Sequence, residues 1–333
     1  MKNLTVVILI LLLVLVSVLL VGCGGAKSDR VKTGLAVIAA VNKSTDAGAN
    51  PGLAQIDSTV VAVTVDGGGK IVKCVIDSVQ SKINFNTSGQ LTTPLDNLFP
   101  TKNELGESYG MNKASKIGKE WNEQAAALAK YVEGKTVEQV KAIAVDESMH
   151  PTGSDLKSSV TMSIGGYIEA IEKAVALAQE LGASSSDKLG LGIVTNMAHS
   201  VNAGEKSGLA EAYSTYMAIT QDSKGKITSC VIDASQGQVN FDASGKITSD
   251  LNAAIKSKNE LGEAYGMKRA SKIGKEWYEQ AAVFAKYVTG KTPSEVADIA
   301  VDEQGRPTGS DLRASVTIGI DDFQAILAKA TGR

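Results

Sequence analysis

The sequence predicts an α+β fold made twice: two tandem copies of one domain, each a largely antiparallel sheet with helices packed on one face. Three observations predict it. From Gly34 onward the chain repeats itself at an offset of 156 residues with no gap, so that Lys102-Asn103-Glu104-Leu105-Gly106-Glu107 returns as Lys258-Asn259-Glu260-Leu261-Gly262-Glu263. Between Lys102 and Glu147, 34 of 46 positions match their counterparts, and a period this long is a duplicated domain rather than a solenoid. Within each copy β-branched runs come first and segments of helical period follow, the order of an α+β layer structure.

The boundaries follow from the repeat. Residues 1–22 read as a leader, 23–33 as a polar tether, 34–180 as copy one, 181–189 as a linker and 190–333 as copy two. In copy one, 35–41 and 59–65 are rich in Val, Ile and Thr, as pleated, half-buried strands prefer. Asp66-Gly67-Gly68-Gly69-Lys70 supplies a hairpin turn, and 71–77 returns as the partner strand. The glycine run is no phosphate loop, because no helix and no Gly-Lys-Ser/Thr follow it. Copy two keeps the design, with Asp222-Ser223-Lys224-Gly225-Lys226 as its turn. A helix is expected over 118–132, where Trp121, Ala125, Leu128 and Val132 share one face and Gly134 marks the end. The next helix starts at Thr136 with Gln139 as a capping box; Thr292-Pro293 begins its counterpart. A short strand over 159–164 and a closing helix over 166–181 complete the copy, and the small, polar linker 181–187 predicts a flexible joint.

Net charge is -2, so the chain has no basic excess with which to neutralise a phosphate backbone, and nucleic acid is excluded as a partner class. The leader has a positive start, Met1-Lys2-Asn3, then an apolar run over 4–21. A membrane-spanning helix needs about 20 apolar residues, slightly more than this run. A plain secretory signal would end in a small-x-small cleavage site. The third reading rests on Leu20-Val21-Gly22-Cys23, which resembles the bacterial lipobox. That resemblance implies lipidation at Cys23 and a lipid anchor on the extracytoplasmic face of the cell membrane; all three readings put most of the chain outside the cytoplasm. The two other cysteines, Cys74 and Cys230, occupy equivalent places among apolar neighbours, which predicts buried, inert thiols.

Candidate sites are few. The Lys102–Trp121 stretch gathers Glu104, Glu107, Tyr109, Lys116, Lys119, Glu120 and Trp121; it reads either as a pocket with an aromatic pair or as a packed loop with solvated ion pairs. Glu120 and Glu123 lie three apart on one helix, a pair that could do acid–base work but is common on helices. His150 and His199 are not duplicated and read as surface histidines, and no spacing suggests a metal site or a catalytic nucleophile. The most specific candidate precedes the last helix: Asp155-Leu156-Lys157-Ser158-Ser159-Val160-Thr161 in copy one, Asp311-Leu312-Arg313-Ala314-Ser315-Val316-Thr317 in copy two. A helix N-terminus there would welcome a phosphate.

With these residues the sequence resembles the FMN-binding domain family of bacterial extracytoplasmic proteins, whose domains open with an Asp-Gly-Lys-Ile-like hairpin. They end in Asp-x-x-Ser/Thr-Gly-Ala-Thr before a C-terminal helix. Asp155, Ser158 and Thr161 match, as do Asp311 and Thr317, with Gly69-Lys70-Ile71 and Gly225-Lys226-Ile227 in the hairpins. Ser159 and Ser315 stand where the family has Gly, Val160 and Val316 where it has Ala, and Ala314 replaces the first hydroxyl in copy two. The resemblance implies FMN esterified to Thr161 and Thr317 by a separate flavin transferase, electron transfer with redox partners, and a flavin lying against Tyr109/Trp121 and Tyr265/Trp277. The alternative expectation is a non-catalytic surface lipoprotein that binds a ligand or partner without flavin.

Overall fold

A computed structural model describes residues 29–332; the expected leader, its cleavage site and Cys23 lie outside the described residues. The fold is α+β, with two three-stranded antiparallel sheets, each followed by helices. Copy one contains β1 (Lys32–Ala40), β2 (Gly52–Val65), β3 (Ile71–Phe85), α1 (Lys102–Leu105), α2 (Trp121–Val132), α3 (Val137–Lys141), α4 (Ser154–Lys157) and α5 (Gly165–Ala176). Copy two contains β4 (Lys188–Asn196), β5 (Gly208–Gln221), β6 (Ile227–Phe241), α6 (Lys258–Leu261), α7 (Trp277–Val288), α8 (Pro293–Ala297), α9 (Ser310–Arg313) and α10 (Asp321–Ala330). Among the described residues no helix is long and apolar enough to cross a membrane.

The local expectations mostly hold for the reasons given. The Asp66 carboxylate accepts the N–H groups of Gly68 and Lys70, and Gly69 sits at φ 78°, where a side chain would be strained. The apolar stripe of α2 is buried, and Thr136 and Gln139 form the expected capping box. The strand expected over 159–164 does not form. Ser159 and Val160 donate to the Leu156 carbonyl, Thr161 and Met162 to the side chain of Gln124, and Ile164 to the Met149 carbonyl. Five of its six N–H groups are thus satisfied without a strand partner.

The strands are long and buried on both faces, so they read as near-continuous apolar runs. On β2, Val60 and Ala62 point into a core shared with the other sheet, while Val61, Val63 and Val65 point to the helices of their own copy. The result is four layers, helices–sheet–sheet–helices, with β1 lying along β6 and β3 along β4. Several contacts between the copies come in reciprocal pairs, the signature of a two-fold arrangement. Phe85 and Phe241 stack on each other with centroids 4.2 Å apart. The Ala47 N–H donates to the Gly245 carbonyl and the Ala203 N–H to that of Gly89. Lys173 pairs with Glu260 and Lys329 with Glu104, each at 2.7 Å.

The linker is not the flexible joint its composition suggests. Ala183 is fully buried and its carbonyl accepts the Val31 N–H, while the Asp187 carboxylate accepts the Ser184 N–H and the Thr228 hydroxyl. A segment with these bonds acts as a strap across the junction.

Candidate functional site

In both copies the block after β3 or β6 begins with a capped turn that sends a lysine inward. Thr101 and Ser257 are the N-caps of α1 and α6, closed by Glu104 and Glu260. The next residue, Lys102 or Lys258, is buried, at 8% and 3% exposure. The Lys102 ammonium lies over the rings of Tyr109 and Trp121, at 4.7 and 5.1 Å. The Lys258 ammonium has three rings around it, Tyr213 and Tyr265 at 4.5 Å and Trp277 at 4.8 Å, and donates to the Tyr213 hydroxyl at 2.7 Å. Burial lowers the pKa of Lys258 to about 8, because a desolvated ammonium is disfavoured.

Two carboxylates hold the same turn from below. Asp77 accepts the N–H groups of Ser78 and Asn103, and Asp233 those of Ala234 and Asn259. Burial raises both pKa values to about 6 despite these bonds. Glu120 is structural: its carboxylate accepts the Met111 and Asn112 N–H groups, and its own N–H donates to Glu123. The Glu120/Glu123 pair is therefore a helix cap, and Glu276/Glu279 repeats it. The two thiols are buried, and burial raises the pKa of Cys230 to about 12.

Thr161 and Thr317 are partly exposed rather than sealed in the core. Each donates to a buried glutamine, Gln124 or Gln280, one turn along the helix from Trp121 or Trp277. The Ser158 hydroxyl donates to the Asp155 carbonyl, while the Asp155 carboxylate takes the Tyr131 hydroxyl; the Asp311 carboxylate takes that of Ser310. The helix after Thr161 begins Gly165-Gly166, whereas that after Thr317 begins Asp321-Asp322. The first helix start carries no charged side chain, and the second carries two carboxylates. An isoalloxazine ring does not fit against the tryptophans: Trp121 is 2% exposed, with Lys102 over its ring, and Trp277 packs edge-on to Phe323. The aromatic pairs are lysine cages.

The polar group around Lys258 has no signature in the local sequence. The buried Glu211 carboxylate accepts from both Gln236 and Gln238 and lies 2.8 Å from His199 Nδ1. His199 is at the surface as expected, but its partner is not. Only a position-by-position comparison of the copies points here, since Gln55 and Lys43 stand at the places of Glu211 and His199. Gln236, Gln238, Lys256, Lys258 and Tyr265 line a pocket of about 230 Å3. A larger groove, about 1040 Å3, lies between the end of α5 and the flank of α7, where β1 meets β6. Leu35, Leu177, Leu181 and Val231 give it apolar walls; Glu260, Tyr278 and Lys286 are among its polar groups.

No protein family and no solved structure matches the chain. A chlorophenol reductase of Desulfitobacterium hafniense is 46% identical over 54 residues, which is 15% of this chain and 16% of that protein. The likeness is a fragment. Among the described residues no group of three or more His, Cys, Asp or Glu side chains is arranged to hold a metal ion.

Proposed function

We propose that this chain is a non-catalytic binding protein held on the extracytoplasmic face of the cell membrane by a lipid on Cys23, and that the groove between the two copies takes its ligand. The observation that carries this reading is the groove itself: about 1040 Å3 at a junction of domains, with apolar walls and a few polar groups. Ligand pockets are found in such places and run from about 300 to 1,000 Å3. The complementary ligand is amphipathic. An anilinonaphthalene sulfonate dye is a suitable probe, with Lys286 near its sulfonate and Leu177 and Val231 against its rings. The native chain should enhance the dye's fluorescence, and Ala282→Trp, which fills the groove from an exposed helix position, should abolish most of that gain. No enhancement by the folded native chain would end this reading. Cys23→Ala should release the chain from membranes.

A flavin carrier is the second reading, favoured by one observation: the partly exposed Thr161 stands before a helix that begins with two glycines. Chain made in a host with a flavin transferase would then gain the mass of FMN, and Thr161→Ala would remove it. The acidic start of α10 leads us to expect one adduct rather than two.

A further inference from the structure

We propose that the pocket at Lys258 is a second binding site, specific to copy two, for a small oxyanion such as a carboxylate or phosphate. The pocket is separate from the groove and from Thr161 and Thr317. Its lining is dominated by donors. Lys258 carries three N–H donors, and the described residues accept one of them, through the Tyr213 hydroxyl. The three rings around the ammonium hold it in place and leave it short of hydrogen bonds. Lys256 adds a second, exposed cation, and Tyr265 is part of the same wall.

Glu211 helps build the site. By accepting from Gln236 and Gln238 it fixes both amides, so the pocket wall is set before a ligand arrives. Burial of Lys258 beside Glu211 and Asp233 gives the region a mixed charge, and an incoming anion would offset the desolvation that depresses the lysine. At about 230 Å3 the pocket suits an ion of a few heavy atoms and excludes a nucleotide. Copy one diverges at the same wall: Pro100 replaces Lys256, Lys82 replaces Gln238 and Gln55 replaces Glu211.

The test is a titration of the full chain with acetate, succinate and inorganic phosphate in turn, followed by calorimetry and by the amide resonances of Gln236 and Gln238. At least one ion should bind and shift both. Lys258→Met keeps an apolar filling in the cage and should weaken binding about tenfold or more, the loss expected for a hydrogen bond to a charged group. Lys256→Gln, at an exposed position, should weaken binding without touching the cage and covers the case in which Lys258→Met fails to fold. Carboxylates binding without phosphate, or the reverse, identifies the oxyanion. No binding by any of the three, or equal binding by native chain and both variants, overturns the proposal. The dye signal of the groove should survive both variants.

Discussion

Copy one and copy two share a backbone, and some of the contacts between them are reciprocal while others belong to one side alone. Phe85 meets Phe241 at the sheet–sheet interface, and between helices of the two copies Lys173–Glu260 mirrors Lys329–Glu104. Elsewhere the counterparts differ: at the interface Ile56, Val60 and Val79 are replaced by Ala212, Tyr216 and Ser235, and on the outer side Gly165-Gly166 by Asp321-Asp322 and Asn122 by Tyr278. Where a contact lies on the two-fold axis, as between Phe85 and Phe241, each side chain packs on its own counterpart and a change in one alters the packing of the other. Positions off the axis have no such tie, and there the two copies carry different side chains.

The largest loss is expected at the axis. Phe85→Ala or Phe241→Ala should each destabilise the chain by about 3–5 kcal/mol, because both rings are fully buried against each other. Chemical denaturation of the two variants should give similar losses; a large difference would mean that the two-fold does not govern the core. Next come Gly34 and Gly190, where a Cβ would sit 2.0 and 1.9 Å from the carbonyl oxygens of Ala174 and Ala330. Gly34→Ala and Gly190→Ala should cost about 1–3 kcal/mol each by forcing helix and sheet apart.

Asp77 and Asp233 sharpen the comparison through pH. Burial raises both pKa values to about 6, so the folded chain holds their protons more tightly than the unfolded chain does. Their contribution to stability is full below about pH 4 and is lost as pH rises through about 6. The Tm should therefore rise as pH falls from neutral toward 5, apart from other titrating groups, and Asp77→Asn and Asp233→Asn should flatten that rise to similar extents.

A smaller effect tests a place where the interface has lost its symmetry. Tyr216 stands at the position of Val60, and its hydroxyl is shared between Ser58 across the interface and Ser235 on β6. Tyr216→Phe should cost about 1 kcal/mol by leaving buried hydroxyls short of a partner, measured by the shift in denaturation midpoint. Smallest is Lys329→Ala, which removes a partly exposed ion pair and should cost less than about 1 kcal/mol. Lys173→Ala should cost more, because Lys173 also donates to the Val37 carbonyl.

The duplication is legible directly as the repeat at an offset of 156 residues. The hairpin turns at Asp66 and Asp222, the apolar stripe of α2, the capping box at Thr136 and the burial of Cys74 and Cys230 are legible because each depends on neighbours within a few residues. The tertiary structure alone decided what residues distant in sequence do to one another. It turned the linker into a strap by burying Ala183 and satisfying Asp187, and it replaced a strand at 159–164 with bonds to Gln124. It closed the aromatic pairs around Lys102 and Lys258 instead of leaving them open, and it brought Glu211, Tyr213, Gln236 and Gln238 to one lysine from two strands. The physical reason is the range of the forces that decide each feature. Turns and caps are settled by local hydrogen bonds, whereas a buried charge finds its partners only when packing brings separate strands and helices together.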